Sequence, residues 1–173
     1  MIRVLSNVFA PKSSVHGVLV EVFGIGILIQ GASGVGKSEA ALALVERGHR
    51  LVADDVVEIR RVSGNILMGK GAGVSSHHME IRGLGIINIT HLFGVGAIRD
   101  TKQIQIVVQL EEWDSSKAYD RIGAEENTIE ILEAKVPYLL IPVKPGRNIS
   151  ILIETAAMNE RLKKMPRSDQ AYS

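Results

Sequence analysis

Ile25-Gly26-Ile27-Leu28-Ile29-Gln30-Gly31-Ala32-Ser33-Gly34-Val35-Gly36-Lys37-Ser38-Glu39-Ala40-Ala41-Leu42 is the stretch from which the fold is read. The apolar run Ile25 to Gln30 reads as a deeply buried strand. Ser38 to Arg47 is built from strong helix formers, with Ala41, Leu42 and Val45 on one face and Gly48 where a C-cap belongs. Between them, Gly31-Ala32-Ser33-Gly34-Val35-Gly36-Lys37-Ser38 matches G-x-x-x-x-G-K-[ST] at every position, in the strand–loop–helix setting that such a match requires. Small residues let successive backbone N–H groups converge on phosphate oxygens, and the partial positive charge of the helix start adds attraction. Lys37 supplies a mobile positive charge for terminal phosphates, and the Ser38 hydroxyl is an oxygen ligand of the kind Mg²⁺ takes. The fold class that follows is α/β, with a mixed β-sheet carrying a Walker A P-loop.

Upstream, Val18 to Phe23 and Ile25 to Gln30 flank Gly24 as a hairpin. Downstream, residues 50–53 form a short strand ending at Asp54-Asp55, and residues 56–62 and 65–68 flank Ser63-Gly64 as a second hairpin. From Gly69 to Gly96 the shift to glycine, histidine and isolated apolar residues predicts irregular backbone around a site. Ile104 to Leu110 reads as another buried strand, and Glu111 to Asn127, with Trp113, Lys117 and Tyr119 inside it, as a long exposed excursion. Residues 136–143 are extended but broken by Pro137 and Pro142, and a helix starts at about Asn148, with Ile149, Leu152, Ile153, Ala156 and Ala157 at helical spacing.

The chain has 173 residues, room for one compact domain. With 46% hydrophobic and 23% charged residues it can bury a core, so disorder is excluded. The formal net charge of +1 gives no electrostatic reason to expect nucleic acid or a membrane as partner, so phosphate affinity has to be local. Absence of cysteine removes disulfides, thiolate metal sites and cysteine nucleophiles. No run approaches the ~20 apolar residues that span a bilayer, and the cytoplasm is the expected compartment.

Asp54 and Asp55 end the strand after the phosphate-loop helix, where a carboxylate can face Mg²⁺ or a nucleophile across the phosphate site. Neighbours on extended backbone point to opposite faces, so the pair invites a division of labour. Which of the two does what stays open. His77 and His78 are adjacent and diverge, so they read as loop residues and not as metal ligands.

The run Met79-Glu80-Ile81-Arg82-Gly83-Leu84-Gly85-Ile86-Ile87-Asn88 resembles the signature segment of the bacterial HPr kinase/phosphorylase family. Ser14-Val15-His16-Gly17-Val18-Leu19, Arg50 to Asp55, Tyr119-Asp120-Arg121-Ile122-Gly123 and Ile141 to Asn148 are similar to its other motifs, in its order, so the resemblance covers residues 14–165. It implies a catalytic domain related in fold to phosphoenolpyruvate carboxykinase. That domain phosphorylates a serine of the phosphocarrier protein HPr with ATP or pyrophosphate, and removes the phosphoryl group with inorganic phosphate. It further implies a homohexamer. Carried over, Ser38 and Glu80 hold Mg²⁺, and Asp55 with Asp54 beside it exchanges the seryl proton. His16 belongs to the catalytic site, Arg121 places positive charge near the transferring group, and Lys144 and Arg147 serve dephosphorylation.

On this reading residues 1–13 are a lead-in, 14–165 the catalytic domain and 166–173 a polar tail. Full-length members of the family carry a further amino-terminal domain and a longer helical extension after the position of Met165, so the expectation is the catalytic part alone. Two other readings use the same phosphate loop. A small-molecule kinase would close the excursion with Lys117 and Arg121 over its substrate. A non-catalytic nucleotide-binding module is disfavoured by the presence of Lys37, Ser38, Asp54, Asp55, Glu80 and Arg121 together.

Overall fold

The computed structural model describes residues 12–73, 77–114 and 127–164. Arg121, Tyr119, the tail 166–173 and most of the lead-in therefore lie outside the described residues.

Alternating burial explains the first two layers. In β2 (Val18–Val22) and β3 (Ile25–Gly31), Val18, Val20, Val22, Ile25, Ile27 and Ile29 enter one apolar cluster while Leu19 and Leu28 enter another. A strand apolar at nearly every position can be buried only if both faces are covered. On one face lie helices α1 (Lys37–Glu46), through Ala40, Ala41, Leu44 and Val45, and α3 (Ile149–Lys163), through Ile153 and Ala157. On the other lies a second sheet, which contributes Val57, Ile59 and Leu67.

The central sheet has six strands in the order β11 (Asn127–Ile131), β12 (Ala134–Val143), β10 (Ile106–Glu112), β3, β2, β4 (Arg50–Ala53). β10 runs parallel to both β3 and β12, whereas β2 is antiparallel to both β3 and β4. It follows that β3, β4, β10 and β12 all run the same way, and the expected mixed sheet is the one observed. The second sheet orders β1 (Lys12–His16), β5 (Val56–Ser63), β6 (Ile66–Gly71) and β9 (Thr101–Gln103), with the expected β5–β6 hairpin turning at Gly64-Asn65, one residue later than read from sequence.

Two expectations are corrected. The described part of the segment Gly69 to Gly96 holds regular elements: β7 (His78–Ile81) and β8 (Gly85–Asn88) pair as a short antiparallel hairpin, followed by helix α2 (Ile89–Phe93). Met79 and Ile81 anchor the hairpin in the core that also holds α1, while Leu84 and Ile86 remain exposed. Nor do the prolines break residues 136–143. Among the described residues, pairing with β11 reaches Tyr138 and pairing with β10 begins there, so Pro137 and Pro142 each have one described neighbouring strand. A missing N–H is tolerated at such positions.

A contact between helices also escaped the sequence reading. Glu154 on α3 accepts from Arg47 Nε at 2.9 Å, and its other oxygen lies 2.6 Å from His49 Nε2. These bonds tie the end of α1 to α3. The Arg47 hydrogen bond is the main reason the Glu154 carboxyl is held below the usual carboxylate range.

Candidate active site

Strand direction brings the chemistry together. The carboxyl ends of four parallel strands share one edge, the place where open α/β sheets bind ligands. β3 delivers the Gly31 to Ser38 loop there, β4 delivers Asp54-Asp55, β10 delivers Trp113 and β12 delivers Lys144 to Arg147. Register confirms the shared edge, since Gly31 stands opposite Leu110, and Glu112 opposite Val143. Antiparallel β2 begins where its neighbours end, with Val18 opposite Ile29, so His16 and Gly17 arrive at the same edge.

The phosphate loop is held open by its own backbone. Gly34 and Gly36 have φ of +86° and +107°, conformations that side chains with a Cβ rarely adopt. Asn88 and Asn148 cap α2 and α3 through their side chains, whereas Gly36 opens α1 with no side chain to do so. First-turn N–H groups of α1 are thereby left for an anion. Lys37 Nζ donates to the carbonyl oxygens of Gly31 at 2.9 Å and Ala32 at 3.2 Å, which lays the ammonium across the loop. Arg82, quoted within the signature run but given no role from sequence, donates through Nη2 to the Gly34 carbonyl at 2.8 Å. That bond fastens the β7–β8 hairpin to the crest of the loop. The guanidinium and its acceptor are far apart in sequence, so only the fold reveals the pair.

The two aspartates occupy different environments. Ser38 Oγ donates to Asp54 Oδ1 at 2.9 Å. Burial pushes the Asp54 carboxyl above the usual carboxylate range; the Ser38 hydrogen bond opposes the rise and the neighbouring Asp55 charge adds to it. Asp55 is exposed and sits at φ +73°, a left-handed position that Asp and Asn tolerate better than other side chains with a Cβ. Its carbonyl accepts from Gly17 N at 3.0 Å, and Val56 N donates to Asp54 O at 2.9 Å, so the turn is locked against the start of β2. A Cβ on Gly17 would come 2.8 Å from the Ile29 carbonyl oxygen, so this close approach admits only glycine. His16 is exposed and paired with Val56, the residue that follows Asp55.

Glu80 is exposed within β7, two residues from Arg82, and its side chain makes no hydrogen bond or ion pair with another described residue. Among the described residues no group of three His, Cys, Asp or Glu could hold a metal ion. Ser38, Asp54 and Glu80 are all hard oxygen donors, and a set poor in protein ligands suits Mg²⁺, which keeps several waters and binds substrate phosphates. The residues present therefore fit that ion.

Beyond β12, Lys144 Nζ lies 4.7 Å and Arg147 Cζ 6.0 Å from the centre of the Trp113 ring. The Trp113 amide donates to Val143 O at 3.0 Å, and Arg147 N to Lys144 O at 3.0 Å. The sequence alone left Trp113 as either a substrate contact or an anchor, and the fold shows it beneath both cations.

The model of the HPr Serine kinase C-terminal domain family matches residues 7–171. The HPr kinase/phosphorylase of Treponema pallidum is 69% identical over 166 residues, 95% of this chain and 52% of that protein. The HPr kinase/phosphorylase of Leptospira biflexa is 59% identical over 165 residues, 94% of this chain and 51% of that protein. The chain thus spans about half the length of the curated relatives it matches. The solved HPr(Ser) kinase/phosphatase from Coxiella burnetii superposes with a TM-score of 0.80 at 34% identity, covering 92% of this chain and 96% of that one.

Proposed function

This chain belongs to the HPr serine kinase C-terminal domain family, and from that premise we propose that it is a cytoplasmic, Mg²⁺-dependent protein-serine kinase and phosphorylase acting on HPr. In this reading the loop is a nucleotide-binding Walker A loop, and the fold is kin to phosphoenolpyruvate carboxykinase. The observation that carries it is the convergence of the phosphate loop, both aspartates and two cations on one sheet edge, with Ser38 bonded to Asp54. No helix among the described residues is long and apolar enough to cross a membrane.

The amides of Gly31 to Ser38 and the Lys37 ammonium hold the polyphosphate of ATP or pyrophosphate. Ser38 and Glu80 would hold Mg²⁺ beside Asp54; when bound, the ion neutralises and aligns phosphate oxygens. Asp55, the exposed member of the pair, accepts the HPr seryl proton as the oxygen–phosphorus bond forms and the donor's bridging oxygen departs. In reverse, inorganic phosphate takes the phosphoryl group, pyrophosphate leaves, and protonated Asp55 returns its proton to the seryl oxygen. Phosphoryl transfer has a loose transition state, so positioning and charge neutralisation matter more than base strength. His16 steadies the aspartate turn or an incoming phosphate. Lys144 and Arg147 receive the attacking phosphate, and a homohexamer would cover the exposed side chains of Leu84, Ile86, Leu92 and Val95.

The test incubates the chain with HPr, Mg²⁺ and γ-labelled ATP, then adds inorganic phosphate. Label on an HPr serine, released as pyrophosphate, is expected. Label passing to a metabolite and not to HPr would replace this reading with a P-loop small-molecule kinase. In the same assay Lys144→Ala with Arg147→Ala should lower phosphate-dependent removal on the order of 10²-fold, the scale of losing charge-assisted bonds to an anion. Transfer should fall by much less, and equal losses in both directions would reject the division of roles.

A further inference from the structure

Two like charges drawn over one ring call for an explanation. Lys144 and Arg147 belong to one tight turn, closed by Arg147 N to Lys144 O at 3.0 Å and by Gly146 at φ +86°. Among the described residues neither makes an ion pair with a carboxylate. Like charges on one turn repel; a long hydrogen bond from Arg147 Nη1 to Pro142 O at 3.4 Å holds that side chain only loosely, and Lys144 without the ring would swing into solvent. The indole ring lies within cation–π reach of both, 4.7 Å from Nζ and 6.0 Å from Cζ, and offers each the negative side of its quadrupole. It gathers the cations without neutralising them, as a carboxylate would. The backbone that carries the ring is tied down, because the Trp113 amide donates to Val143 O at 3.0 Å and so joins the ends of β10 and β12.

We propose that Trp113 is a positioning residue for phosphate entry: its ring holds Lys144 and Arg147 together as a doubly positive clamp for free inorganic phosphate at the sheet edge beside the loop. The assignment rests on the proposed phosphorylase reading and gives that direction its specificity. A ring face selects no phosphate by itself. It sets how often the two cations are poised at once, and so acts on phosphate affinity more than on the transfer step.

The test compares Trp113→Leu and Trp113→Phe with the unaltered chain. With phosphorylated HPr as substrate, Trp113→Leu should raise the phosphate KM about five- to tenfold, equivalent to about 1 to 1.4 kcal/mol. The kcat of removal should change less than threefold, and the ATP KM in transfer should rise less than the phosphate KM. Trp113→Phe, which keeps an aromatic face, should recover most of the phosphate KM. A phosphate KM unchanged in Trp113→Leu, or a loss that Trp113→Phe shares in full, overturns the proposal. Calorimetric titration with inorganic phosphate separates the two levels of the reading. Weaker phosphate binding by Trp113→Leu with no turnover even in the unaltered chain would sink the phosphorylase and leave the clamp standing. Turnover with unweakened binding would do the reverse.

Discussion

Lys37→Ala is expected to abolish both phosphoryl transfer to HPr and its phosphate-dependent reversal, with losses on the order of 10³-fold or more. The ammonium is bonded to Gly31 O and Ala32 O, the consecutive carbonyls where β3 enters the cradle. Charge on a transferring phosphoryl group is spread over its oxygens in both directions. One cation placed there therefore contributes to both, unlike Lys144 and Arg147. The side chain is only partly buried, and its bonds are to loop carbonyls that water can serve. The variant should keep its circular-dichroism spectrum and melt within a few degrees of the parent. Lys37→Arg is not expected to rescue, because a planar fork cannot follow the point-charge geometry of a lysine at close quarters. Initial rates with labelled ATP and with phosphorylated HPr check the result, and retention of a tenth of either activity would remove Lys37 from its assigned place.

The second large effect separates the aspartates. Asp55→Asn should lower both directions by about 10² to 10⁴-fold, the usual worth of a general base or acid. It should leave nucleotide binding in place. Asparagine is the informative replacement, because at φ +73° it can keep the backbone that Asp55 holds, including the carbonyl bonded to Gly17 N. Alanine would add strain and confuse the outcome. Asp54→Asn removes the acceptor charge beside the Ser38 hydroxyl, so it should raise the Mg²⁺ concentration needed for half-maximal activity. Magnesium titrations of both variants distinguish the two roles. A large magnesium shift in Asp55→Asn, with Asp54→Asn losing its rate at saturating magnesium, would exchange the assignments.

The reasons for legibility are visible at particular residues. The hairpin through Gly24, the hairpin through Gly64-Asn65 and the helix capped by Asn148 depend on neighbours within a few positions, so composition and spacing disclose them. The β7–β8 hairpin was hidden because Gly83 and Gly85 make the segment resemble a loop, and because Leu84 and Ile86 stay exposed and blur the burial pattern. Strand β12 was read as broken because a proline's cost depends on which sides of the strand are paired, and pairing is a property of the sheet. Arg82 on Gly34 and Trp113 under Lys144 and Arg147 join residues that no window spans.

By itself the sequence determined that a buried strand enters a glycine-rich phosphate cradle and a helix leaves it, since each step follows from local sterics and period. It also placed a carboxylate pair after the next strand. Only the tertiary structure decided that these pieces share one edge, because parallel strands collect their carboxyl ends there whatever the distance along the chain. It alone distinguished Asp54, half-buried against Ser38, from exposed Asp55, because burial is set by layers of the fold that adjacent residues in the sequence do not share.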